Sequence, residues 1–225
     1  MKRADVTEVR PQGRSLASRY AGETVVAIGA HPDDLEIGIG GTLAKLQRNG
    51  TRVIMVIASI PKDYEVRMEE AKRGAEILGC ELKILMPGGP KRLEDVKTYD
   101  LVGMLDAVVR EYNPAAMLTH SCSDFHNDHL LIYNACQPTQ RLAHFDLFCY
   151  HPTNCRPVPI QFHPKIYVDV SDTIDAKMHS ITAHASQFGG RGLDTEMYRE
   201  FAHVQGRMIG APYAEGLDVV RMLMV

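Results

Sequence analysis

The chain has 225 residues, 25 Lys and Arg against 28 Asp and Glu, a net charge of −3, and 45% hydrophobic residues. That is enough apolar material for a full core, and the interspersed charges offer no basic stripe for a nucleic acid. No apolar run approaches the roughly 20 residues that cross a bilayer, and the first residues are charged where a secretory leader is apolar. The five cysteines are odd in number and form no CxxC pair, which points to a reducing cytoplasm.

Residues 1–20 read as an N-terminal arm or capping segment on a single domain that takes in 1–225. Thr24–Ala30 is a buried strand by its unbroken apolar, β-branched run. Glu36–Asn49 reads as a helix closed by Gly50, and Arg52–Ser59 as a second strand. The spacing of Val66, Ala71, Ala75 and Leu78 predicts a helix over Tyr64–Leu78, stopped by Gly79. Leu82–Met86 is a third strand, and Val96–Tyr112 a helix that ends at Asn113-Pro114. Ala115–Thr119, a helix over His129–Leu142 and a strand over Phe145–Tyr150 follow. Pro152–Pro164 reads as a surface loop and Lys165–Val170 as a half-exposed strand. Ser171 or Asp172 is set to cap a helix reaching Phe188. After the break at Gly189-Gly190-Arg191-Gly192, Asp194 is set to cap a last helix to about Met208. Ala214–Met222 reads as a loop and edge strand. Apolar strands alternating with helices predict a three-layer α/β, Rossmann-like fold, its mostly parallel sheet covered on both faces.

Two clusters carry the chemistry. The first strand runs into His31-Pro32-Asp33-Asp34-Leu35-Glu36, and the fourth into His120 and then His126-Asn127-Asp128-His129. Adjacent carboxylates at a buried strand end repel each other unless a cation lies between them, and His with Asp is a pair that zinc accepts. Both clusters follow strand carboxyl ends, where open α/β sheets bind ligands. A helix starting near Leu35 aims its positive end at the same edge.

These motifs, with Gly38-Ile39-Gly40-Gly41-Thr42-Leu43, Arg67-x-x-Glu70-Ala71, His184-x-Ser186-Gln187 and Tyr213-Ala214-Glu215-Gly216, resemble the PIG-L / LmbE-like zinc-dependent N-deacetylases over nearly the whole chain. The resemblance implies His31, Asp34 and His129 as metal ligands and Asp33 as general base. It implies His126 as the group that steadies the tetrahedral intermediate, with Asp128 as its orienting partner, and Arg67 as a substrate contact. It implies a hydrolase that removes acetyl from the amide nitrogen of an N-acetylglucosamine-type sugar or conjugate. The expected cofactor is Zn2+, with Fe2+ or another divalent ion fitting the same ligands. A small-molecule substrate, no nucleic acid, no membrane and a cytoplasmic setting go with this reading, and the family admits a homo-oligomer.

Alternatives stay open at several positions. Asp33 also fits a helix cap, and Glu36 a first-turn carboxylate set by the helix dipole or a contact behind the ligands. His120 could line the pocket or sit in the core. His184 and Gln187 could form a pocket wall or a helix contact, and Cys122 could line the site or fill space. The rival functions are an amidase for a larger amide conjugate and a metal-loaded domain without turnover. Asp33 and His126, both present, argue against the last.

Overall fold

The computed structural model describes residues 15–151, 162–189 and 194–224. Its chain order is α1 (Leu16–Arg19), β1 (Thr24–Gly29), α2 (Asp34–Arg48), β2 (Arg52–Ile57), α3 (Tyr64–Leu78), β3 (Glu81–Ile84), α4 (Thr98–Tyr112) and β4 (Ala116–His120). There follow α5 (Asn127–Cys136), β5 (Asp146–Tyr150), β6 (Ile166–Asp169), α6 (Ile174–Thr182), α7 (Ala185–Phe188), α8 (Glu196–Arg207) and β7 (Ala214–Arg221).

The strands form one sheet in the order β3-β2-β1-β4-β5-β7-β6. The first five are parallel, and β7 runs antiparallel to both β5 and β6. Strand side chains alternate between the faces. Val25 and Ala27 pack on the face covered by α2 and α3, and Val26 and Ile28 on the face covered by α4 and α5. This is the three-layer α/β architecture expected, with β2, β1, β4 and β5 buried on both faces.

β1 and β4 are neighbours, and their following helices go to opposite faces. The strand order reverses between them, so their carboxyl ends open a crevice at the switch point of the sheet. His31 and Asp34 leave β1 into this crevice, and His126 and His129 reach it after β4.

Several elements differ from the sequence expectation. α2 starts at Asp34, and it breaks at Ile39 (φ −145°, ψ 20°) between 34–38 and 40–48. α5 begins at Asn127 and passes at Gln137 into a 3-10 turn over Gln137–Arg141, because Pro138 removes an amide donor. The helix expected from Ser171 to Phe188 is two, α6 and α7, parted at His184 (φ −85°, ψ 58°). β7 is no edge strand: it lies between β5 and β6. Within the expected arm, Leu16–Arg19 is helical and Tyr20 is buried, its hydroxyl donating to Asp146 Oδ2 at 2.6 Å. Residues 1–14 of that arm, most of the Pro152–Pro164 loop (152–161) and 190–193 lie outside the described residues.

Candidate metal centre

The turn from β1 into α2 sets the first half of the site. Asp33 has φ 92°, a left-handed conformation that costs a residue with a Cβ about 1–3 kcal/mol. That turn directs Asp34 back onto the strand end, where its Oδ2 accepts from the His31 amide at 2.8 Å. Arg67, on α3 and 8% exposed, donates from Nη2 to the Pro32 carbonyl at 2.8 Å and lies 3.6 Å from Asp33 Oδ1.

The second half comes from the start of α5. The His126 side chain caps the helix, Nδ1 accepting from the Asp128 amide at 3.2 Å. One turn on, His129 brings Nε2 to 3.3 Å from Asp34 Oδ1. Its Nδ1 donates to Asp124 Oδ2 at 2.7 Å. The His31 and His129 ring centroids are 6.0 Å apart, and single ligand atoms of His31, Asp34 and His129 all lie within 4.8 Å of one another. A second grouping, His120, Asp124 and His129, meets the same distance. Asp124 reaches His129 through Nδ1, so that group describes the carboxylate that orients the ring from behind.

The donor set suits a divalent cation. Burial alone would lower His129, yet Asp34 and Asp124 raise it to about 10, so the field at this point favours positive charge. Burial would raise Asp34, but His129 and His120 hold it well below the usual carboxylate range. His31 offers Nδ1, 3.7 Å from Asp34 Oδ2, because its Nε2 donates to Asp128 Oδ2 at 2.9 Å. The Asp128 carboxylate therefore orients His31, where the sequence reading paired it with His126. Two imidazole nitrogens and a carboxylate oxygen on one side of a crevice make a three-ligand set with room for water.

Around this set, burial and then the Asp34 charge push Asp33 up to about 7, against the pull of Arg67 and His184. Burial and the imidazoles of His129 and His31 lower His126. Its Nδ1 accepts from the Asp128 amide, so the ring proton sits on Nε2. His120, fully buried, stacks on His129 at 3.9 Å and accepts from the Ala30 amide through Nε2 at 2.9 Å. Burial and the His129 charge push it down to about 4.

A cleft of about 510 Å³ opens over these groups, lined by His31, Asp33, Asp34, Ile37, Pro61, Arg67, His126, Asp128, His129 and Tyr198. A larger cavity of about 860 Å³ on α4 holds Asp106 paired with Arg141 and no histidine. Glu36 and His184 form neither wall. They pair at 2.9 Å in the interior behind Asp33, beside Glu70, which accepts from Ser186 N at 2.7 Å and Oγ at 2.6 Å. Cys122 is exposed and absent from the cleft lining.

Sequence reasoning missed Asp124. Its signal was an acidic residue two positions before His126 in the same loop, close enough to fold back on the His129 ring.

Residues 26–138 match the model of the PIG-L family, described as GlcNAc-PI de-N-acetylase. The chain belongs to the PIG-L family. Diacetylchitobiose deacetylase of Thermococcus kodakarensis (strain ATCC BAA-918 / JCM 12380 / KOD1) is 30% identical over 230 residues, covering 87% of this chain and 82% of that protein. The uncharacterized deacetylase YaiS of Escherichia coli (strain K12) is 27% identical over 181 residues, covering 76% of this chain and 95% of that one. Among solved structures, GalB, the 4-carboxy-2-hydroxymuconate hydratase from Pseudomonas putida KT2440, superposes with a TM-score of 0.76 at 22% identity, over 90% of this chain and 98% of that one. At that identity the likeness speaks for the fold alone. This PIG-L member has no helix, among the described residues, long and apolar enough to cross a membrane.

Proposed function

We propose that this chain is a metal-dependent N-deacetylase acting, from a single domain, on N-acetylglucosamine-type sugars or their conjugates. One observation carries the reading: ligand atoms of His31, Asp34 and His129 converge within 4.8 Å at the floor of a cleft that also holds Asp33, raised to about 7. Zn2+ is the ion proposed, with Fe2+ fitting the same donors. Family membership and the deacetylase relatives support the acetamide substrate, and the irregular cysteines support a reducing, cytoplasmic setting.

An ion held by His31, Asp34 and His129 supplies an acidified water and a charge for the substrate carbonyl oxygen. Asp33, next to Asp34 in the chain but turned by its left-handed backbone toward the cleft, takes the proton from the attacking water. The Nε2–H of His126 faces the developing oxyanion, a donor worth roughly 3 kcal/mol when well placed. Asp33 then returns its proton to the departing amine. Arg67, fixed to the Pro32 carbonyl, anchors the Asp33 turn and presents its guanidinium to the cleft, where it can meet substrate oxygens.

The test is elemental analysis followed by acetate release from N-acetylglucosamine and its disaccharide. Loaded protein should release acetate, lose this with a chelator and regain it with Zn2+ or Fe2+. Acetate release that a chelator leaves untouched, or no release from any acetamide by the loaded protein, overturns the proposal.

A further inference from the structure

The deacetylase mechanism leaves two sequence motifs unused, Gly38-Ile39-Gly40-Gly41 and Tyr213-Ala214-Glu215-Gly216. They meet at the break in α2. The break ends a short first turn, 34–38, that carries Asp34, and starts a new helix at 40–48. Such a break strands carbonyls on one side and amides on the other, and buried backbone groups need partners.

Two side chains from far along the chain supply them. Glu215, on β7, accepts the Gly41 amide through Oε1 at 3.0 Å and the Thr42 amide through Oε2 at 2.6 Å. Lys177, on α6, donates to the Ile37 carbonyl at 2.6 Å and to Glu215 Oε1 at 2.6 Å. Both side chains are 3% exposed. A carboxylate at the new helix start meets the positive end of its dipole, and the ammonium at the old helix end meets the negative one. The glycines allow the approach: a Cβ on Gly41 would lie 2.8 Å from Val170, and one on Gly40 3.3 Å from Lys177.

We propose that Glu215 and Lys177 are positioning residues that splint the break in α2 at Ile39 and thereby hold the Asp34 turn against His31 and His129. The inference rests on the proposed metal centre, and it concerns how firmly that centre grips its ion. Binding coupled to the splint must be reciprocal: a tighter splint favours the ion, and the ion tightens the splint.

The first measurement uses the unaltered protein. Loading with Co2+ should slow hydrogen exchange at the Gly41 and Thr42 amides relative to the chelator-treated protein. Unchanged exchange at both amides overturns the proposal. The second uses Glu215→Gln and Lys177→Met, with Tyr20→Phe as a control at the opposite end of the sheet. The two splint variants should weaken Co2+ binding roughly tenfold or more and change the visible spectrum of the bound ion. They should lower kcat while leaving KM nearly unmoved. Tyr20→Phe should leave Co2+ binding unchanged despite its own loss of thermal stability. Equal Co2+ affinity in folded splint variants and parent reduces the pair to a fold contact and sinks the inference. Co2+-coupled exchange without acetate release from any acetamide would remove the proposed activity and leave the splint standing.

Discussion

His129 is held from behind by Asp124, Nδ1 to Oδ2 at 2.7 Å, and this contact leaves Nε2 to face Asp34. A histidine whose outer nitrogen donates to a carboxylate has one tautomer and one orientation, and its inner nitrogen is more basic. Asp124→Asn keeps the shape and loses the charge, and should weaken metal binding about 10- to 100-fold. Competition with a chromophoric chelator measures this. Unchanged affinity would mean that Asp124 only packs.

Asp33→Asn should cut kcat by about 10²- to 10⁴-fold while metal content stays at the parent level. Elemental analysis beside single-turnover acetate release separates the two quantities. A variant as fast as the parent would remove Asp33 from the role of base.

The same substitution should raise stability. Asp33 is raised to about 7 in the folded protein from an ordinary 3.8. A raised carboxyl binds its proton more tightly folded than unfolded, so its unfavourable contribution grows as pH climbs from about 4 to 7 and then levels off. In the chelator-treated protein, Asp33→Asn should therefore raise Tm by a few degrees at pH 8 and change it little at pH 4. Scanning calorimetry at both pH values checks the sign.

Catalysis should fall on the acid side as Asp33 takes up a proton. A bound cation favours the carboxylate form, so the acid limb of kcat/KM should lie at or below about pH 7. Asp33→Asn should abolish that limb along with the rate. A limb that persists in the variant belongs to another group.

Tyr20→Phe removes one donor from Asp146, which also accepts from Arg19 Nε at 3.0 Å and the Leu223 amide at 2.6 Å. The buried carboxylate keeps its other partners, so the loss should be about 1–2 kcal/mol. Urea unfolding should show a lower midpoint with an unchanged slope. An unchanged midpoint would mean that the contact is neutral.

The strands were legible because β1, β2, β4 and β5 are buried on both faces, and dry strands write their burial as unbroken apolar runs. His31, Asp33, Asp34, His126 and His129 were legible because they follow such runs at the edge where the sheet opens. Asp128, expected beside His126, does donate its amide to that ring, while its carboxylate goes to His31. From the sequence it could turn to either histidine, and only the packing of α5 beside β1 brings its carboxylate to His31. Burial and two flanking imidazoles lower His126, and no local pattern in the sequence records them.

By itself the sequence determined the alternation of strands and helices, the edge of the sheet that carries chemistry, and the residue types gathered there. Those properties follow from local periodicity and from short motifs. Only the tertiary structure decided that Asp124 backs His129, that Asp128 serves His31, that β7 lies inside the sheet, and that Glu215 and Lys177 close the broken helix beneath Asp34. Each of these joins residues whose pairing depends on how distant segments pack, and a buried charge has no preferred partner until packing removes the water around it.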